Sequence, residues 1–103
     1  MYELEYLPIA KREMADIAGY ISNVLHNPAA AEKLSDEMVE AAEKLTMFPY
    51  SNGAFVQVFP FKQEYRRLIV RNYIMFYYID EAKKLVTVAR VIYARRDYGR
   101  LLD

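Results

Sequence analysis

The hydrophobic periodicity of this chain changes once, and that change dictates the class of fold. Up to residue 47 most apolar residues recur at helical spacing; beyond Phe48-Pro49-Tyr50-Ser51-Asn52-Gly53, a loop by composition, they recur every second residue. In the first part, Met14, Ile17, Ala18, Ile21 and Leu25 form one stripe, and Leu34, Met38, Ala41, Ala42 and Leu45 form a second. Asn27-Pro28 separates them, an N-cap followed by a first helical residue, so two amphipathic helices meet at a tight corner, the second reaching about Met47. The outer face of the second helix carries Glu32, Asp36, Glu40 and Glu43. Ahead of the helices, residues 2–7 alternate between apolar and acidic, a half-buried strand closed by Pro8. After the loop, strands are expected at residues 55–59, 64–70, 73–79 and 85–93, joined by turns at Arg71-Asn72 and at residues 80–84.

Short turns make those strands antiparallel. The expectation is therefore an α+β fold: an N-terminal strand, a helical hairpin, then a three- to four-stranded antiparallel meander with the helices packed on one face. The opposite face would be free, at least in part, for a partner or substrate. A chain of 103 residues suits a single domain over residues 1–103. Its longest strongly apolar run, Tyr73 to Ile79, is too short to span a bilayer, and Glu3 and Glu5 stand where a secretory leader would be basic. The absence of cysteine excludes disulfides and thiolate metal sites and fits a cytoplasmic location.

The zero net charge hides a division. Residues 1–54 hold four basic and nine acidic residues, and residues 55–103 hold ten basic and five acidic ones. Such asymmetry points either to an anionic partner or to mutual attraction of the halves within the fold. Arginine is a costly residue inside a strand unless it pairs with a carboxylate or faces an open anionic site. Strand parity places Arg66 with Leu68 and Val70, and Arg90 with Val86, Val88 and Ile92, so each lies among apolar neighbours. Arginine, lysine and tyrosine can together cleave RNA without a metal, because the 2′-hydroxyl is an internal nucleophile and guanidinium groups neutralise the crowded phosphate. Arg66, Tyr93, Arg95 and Arg96 are the catalytic candidates; Lys62, Arg67, Arg90, Tyr65 and Tyr98 are the substrate-binding ones. His26, the only histidine, sits at the helix corner, where capping is the simpler role. With three glycines there is no phosphate loop, Met14, Met38 and Met47 are most simply core, and no metal or cofactor is expected.

Several segments in order carry a resemblance: Tyr2-x-Leu4-x-Tyr6-x-Pro8-x-Ala10, then Asp16-Ile17 and Tyr20-Ile21, Asn27-Pro28-x-Ala30 and Leu45-x-x-Phe48-Pro49. The series continues with Tyr65-Arg66-x-Leu68-x-Val70-x-Asn72-Tyr73, Phe76-Tyr77 and Arg90-Val91-Ile92-Tyr93-x-Arg95-Arg96-Asp97. Over nearly its whole length the chain resembles the RelE/ParE superfamily of toxins from type II toxin–antitoxin systems, often labelled plasmid stabilisation proteins. The resemblance implies a helical hairpin on a mainly antiparallel sheet and a small acidic antitoxin as partner. It implies one of two targets. RelE-like members are mRNA interferases, cleaving mRNA on the ribosome as metal-independent endoribonucleases, and ParE-like members lack the nuclease residues and poison DNA gyrase. By position, Arg66 matches the arginine that meets the scissile phosphate in nuclease members. Arg95 or Arg96 matches a second phosphate-binding arginine, and Tyr93 lies where some members keep a His or Tyr for proton transfer. Lys62 falls near the basic residues that precede the central strand. The lysine-rich segment of RelE-like nucleases is reduced here to Phe59-Pro60-Phe61-Lys62-Gln63-Glu64, and the last strand has no histidine, which leaves Glu64 as the conceivable general base. The primary expectation is ribosome-associated mRNA cleavage, with gyrase poisoning as the alternative. A homodimer and a toxin–antitoxin hetero-oligomer are both compatible with the sequence.

Overall fold

A computed structural model describes residues 1–54 and 63–95. The strand expected at residues 55–59 lies outside the described residues. Strand β1 (Glu3–Tyr6) alternates as its pattern requires, with Glu3 and Glu5 outward and Leu4 and Tyr6 against the core. Pro8 opens helix α1 (Pro8–Gly19), where its missing N–H has no intrahelical partner to lose. The helix then widens into a π-helical turn over Tyr20–Val24, in which the Leu25 amide donates to the Tyr20 carbonyl at 3.1 Å. His26 takes a left-handed conformation (φ 53°), which stops the helix and turns the chain. Asn27 then caps helix α2 (Pro28–Lys44) by accepting from the Ala30 amide at 3.1 Å.

Strands β2 (Arg66–Val70), β3 (Tyr73–Asp80) and β4 (Leu85–Tyr93) form the expected antiparallel meander. The sheet order is β1-β4-β3-β2, and β1 lies parallel to β4, with Leu4 opposite Val86 and Tyr6 opposite Val88. The four-stranded sheet is therefore mixed: the helical hairpin is the crossover that a parallel pair needs. The Tyr2 amide donates to the Thr46 carbonyl at 2.8 Å, tying the entry to β1 to the end of α2.

A β-bulge corrects the parity assigned to Arg90. Tyr77 faces Val88 and Phe76 faces Arg90, so Ala89 is an extra residue on β4. Beyond it the side chains change face: Val86, Val88 and Val91 all join the helix-side core, and Ala89 and Ile92 join the opposite face. The helix-side core packs Ala10, Leu34, Met38, Ala42 and Leu45 onto Val70, Met75, Tyr77 and those three valines. The opposite face is open only in part, where Arg67 and Ile69 of β2 are exposed. Tyr65, Ile74, Phe76, Ala89 and Ile92 form a second buried cluster there. The buried Thr87 hydroxyl is satisfied by donating to Glu5 at 3.0 Å. Two core expectations also fail. Met47 is exposed because α2 ends at Lys44, and Leu25 is exposed because the extra residue of the π-helical turn rotates it off the stripe. No helix among the described residues is long and apolar enough to cross a membrane.

Past Tyr6, β1 no longer covers β4, and the edge of β4 would be bare from Ala89 onward. Glu13 of α1 fills that gap. Its carboxylate accepts from the Val91 amide at 2.9 Å and from Arg90 Nε and Nη2 at 3.0 and 2.7 Å. Both side chains are largely buried, 17% exposed for Arg90 and 16% for Glu13. Removing one partner leaves a buried charge and an orphaned amide, so Glu13→Ala should cost about 2–4 kcal/mol in urea denaturation. Glu37→Ala, which breaks the more exposed pair with Arg71, should cost clearly less than Glu13→Ala. Equal losses in the two variants would refute the structural role given to Glu13.

Candidate functional site

Arg66 begins β2 on the helix-side face, where its neighbours Leu68 and Val70 enter the core. Its guanidinium is already engaged. Nη1 donates to the Asn52 carbonyl at 2.6 Å, Nη2 meets Glu64 at 3.2 Å, and the group lies over the Tyr50 ring at 4.9 Å. The same loop is held a second time by Tyr77, whose hydroxyl donates to the Pro49 carbonyl at 2.9 Å and accepts from Asn52 Nδ2 at 3.3 Å. Arg66 thus fastens the segment after α2 to the sheet, with its side chain 14% exposed. A groove of about 460 Å³ beside it is lined by Glu37, Glu40, Lys44, Asn52 and Leu68. Two carboxylates against one ammonium make it a poor receptor for a polyanion.

The remaining candidates do not gather around Arg66. Arg90, assigned to substrate binding, is paired with Glu13 at the sheet edge. Tyr65, assigned to stacking on a base, is buried and packs edge-on against Phe76 and Tyr78 at 6.4 and 5.9 Å. Arg67 projects from the opposite face of β2, where it is exposed. Tyr93 faces Tyr73 and Val70 across the sheet, whereas Arg66 faces Tyr77 and Val88. The two rows are four residues apart on β2, roughly 13 Å along the strand. Arg95 follows Tyr93 and is exposed beyond that far row, where the Ala94 amide closes onto the Asn72 carbonyl. Lys62, Arg96 and Tyr98 lie outside the described residues. His26 is exposed at its left-handed corner. Among the described residues no cluster of three or more His, Cys, Asp or Glu side chains is placed to hold a metal.

One polar centre has no counterpart in the sequence reading. Glu81, in the β3–β4 turn, accepts from the Tyr2 hydroxyl at 2.8 Å and the Tyr50 hydroxyl at 2.5 Å, and pairs with Lys84. It thereby joins the chain start, the post-helix loop and the last turn, with Arg66 one ring away over Tyr50. The Lys84 ammonium and the two hydroxyls draw the Glu81 carboxyl down to about 2. The Tyr50 phenol, hydrogen-bonded to that carboxylate and partly desolvated, is pushed up to about 12. The partners lie 79 and 31 residues from Glu81, so no local pattern could have announced the cluster. Glu13 and Asn52 escaped notice for the same reason.

The model of the family described as "ParE toxin of type II toxin-antitoxin system, parDE" matches residues 4–98. Among solved structures, the chain is similar to the chromosomal ParDE toxin–antitoxin system from P. aeruginosa, with a TM-score of 0.74 and 18% identity, covering 92% of this chain and 98% of that one. It is also similar to the intact E. coli RelBE toxin–antitoxin complex, with a TM-score of 0.58 and 19% identity over 93% of this chain and 100% of that one. The isolated E. coli RelE toxin gives a TM-score of 0.58 at 18% identity, over 98% of this chain and 93% of that one. At these identities the likeness is one of fold. No curated protein matches the chain significantly.

The Glu81 cluster carries a pH signature. A carboxyl lowered from 4.5 to about 2 contributes stability that is present above its ordinary value and is lost as the pH falls toward the lower one. Urea denaturation of the native protein should therefore show stability declining between about pH 4.5 and about pH 2, and Glu81→Gln should flatten that decline. A carboxyl titration by NMR with its midpoint near the ordinary glutamate value would show that the cluster does not form in solution.

Proposed function

Because the chain belongs to the family of ParE toxins of the type II toxin–antitoxin system parDE, we propose that it arrests growth by binding and poisoning DNA gyrase, and that a cognate antitoxin neutralises it. The observation that carries this reading is the dispersal, among the described residues, of the cationic groups a metal-independent nuclease would need to bring together. Arg66 is spent on the Asn52 carbonyl, Glu64 and Tyr50, and Arg90 on Glu13. Arg95 stands beyond the far end of the strand rows from Arg66. Cleavage at a phosphate needs donors preorganised around one phosphorus, and a separation of roughly 13 Å cannot supply that. A binding toxin has no such requirement: its potency depends on surface shape and charge. The antitoxin partner rests on the family and on similarity to the folds found in ParDE and RelBE toxin–antitoxin assemblies. The sequence alone ranked ribosome-associated mRNA cleavage first; the positions of Arg66 and Arg90 support the reverse order.

The test is a pair of assays run on the same induced culture. Primer extension on translated mRNA should show intact transcripts while growth stops, and purified toxin should inhibit supercoiling by gyrase. Arg66→Ala should reduce thermal stability by loosening the residue 48–52 loop, and toxicity should fall only as far as the folded fraction falls. Discrete ribosome-dependent cuts, abolished by Arg66→Ala in a variant that remains folded, would overturn the proposal in favour of the nuclease.

A further inference from the structure

The π-helical turn that rotates Leu25 off the core leaves an apolar surface with no partner in the chain among the described residues. Tyr20, Val24 and Leu25 are each more than half exposed, and Tyr93 is 38% exposed. A groove of about 710 Å³ runs here, lined by Asp16, Ile17, Tyr20, Leu25, Tyr73 and Tyr93. It continues through Leu25 and Tyr73 into a second groove of about 400 Å³, which ends at Lys33 and Arg71. The two form one trough, apolar along its middle and oppositely charged at its ends. Tyr73 and Tyr93 meet edge-on at 5.6 Å, and burial together with the nearby Tyr93 and Tyr20 hydroxyls raises the Tyr73 phenol above its usual range.

We propose that this trough is a self-association surface, filled by the same trough of a second copy of the chain related by a two-fold axis. The charge pattern selects this occupant. A two-fold placed at Leu25 and Tyr73 brings Lys33 of each copy to the Asp16 end of the other, so both end contacts are made at once, as an isologous interface requires. The Asp16 end is also the tyrosine-rich end, where a lysine ammonium meets a carboxylate and aromatic faces together. Among the described residues Asp16 makes no ion pair and Lys33 has none within 4 Å. A strongly acidic chain would favour a uniformly basic trough. This one has a carboxylate at one end, and at the other an arginine already held by Glu37. The dimer is independent of the target assigned above: it would hold for a gyrase poison or a nuclease.

Sedimentation velocity of the purified toxin over about a hundredfold range of concentration should show a reversible monomer–dimer equilibrium. Asp16→Lys and Lys33→Asp, both at exposed positions, should each weaken it by about tenfold or more, because each places like charges at both ends of the interface. Mixing the two variants should restore association, since each end contact then joins opposite charges again. A wild-type protein that stays monomeric would overturn the proposal. So would a dimer indifferent to both substitutions, or two monomeric variants that fail to associate when mixed. Protection of Tyr20 and Leu25 by an antitoxin segment on a toxin that is otherwise monomeric would assign the trough to that partner instead.

Discussion

The carboxylate of Glu13 stands where three requirements of this fold meet. Strand β1 is only four residues long, so β4 outruns it and exposes backbone donors in the middle of the molecule. At the same place the bulge at Ala89 turns β4 and sends Arg90 toward α1. A single acidic side chain receives both the stray amide of Val91 and the guanidinium of Arg90. The bulge lets valines on either side of it enter one core, and the glutamate closes the edge that would otherwise offer itself to another chain. That contact joins the apolar packing of Ala10, Met14 and Ile17 in holding α1 on the sheet.

The division of charge between the two halves of the chain has a structural outlet. Glu13 and Glu37, from the acidic half, take up Arg90 and Arg71 from the basic half. Among the described residues, two of the cations that would suggest a polyanion site are used in holding helices to the sheet. Arg66 follows the same logic with a backbone carbonyl and a tyrosine ring. These arginines serve the scaffold of this chain, and what such a fold attacks is a matter for its surface.

The helices, the four described strands and their turns were legible because their signals are local. The Asn27-Pro28 corner, the stripe of Leu34, Met38, Ala42 and Leu45, and the two-residue turn at Arg71-Asn72 each lie within a single element or turn of the chain. What failed was phase and distance. One extra residue at Ala89 inverted the facing of Arg90, and one at the π-helical turn exposed Leu25; a single insertion of either kind leaves no mark in composition. The parallel pairing of β1 with β4 was not anticipated, since alternation identifies a strand but not its neighbour. For the site, Arg66 and Arg90 could be read as cations among apolar residues, but their partners Asn52 and Glu13 come from other elements, so residue type alone could not announce the contacts they make.

The pairing of the first strand with the last also has a meaning in time. Glu5 bonds to Thr87 across 82 residues of sequence, and β1 touches the sheet only along β4. A nascent chain therefore carries β1 and both helices out of the ribosome long before the strand that receives them exists, and such high contact order delays closure of the sheet. Until β4 is made β1 has no strand to pair with, so the sheet closes only after its last strand has joined it.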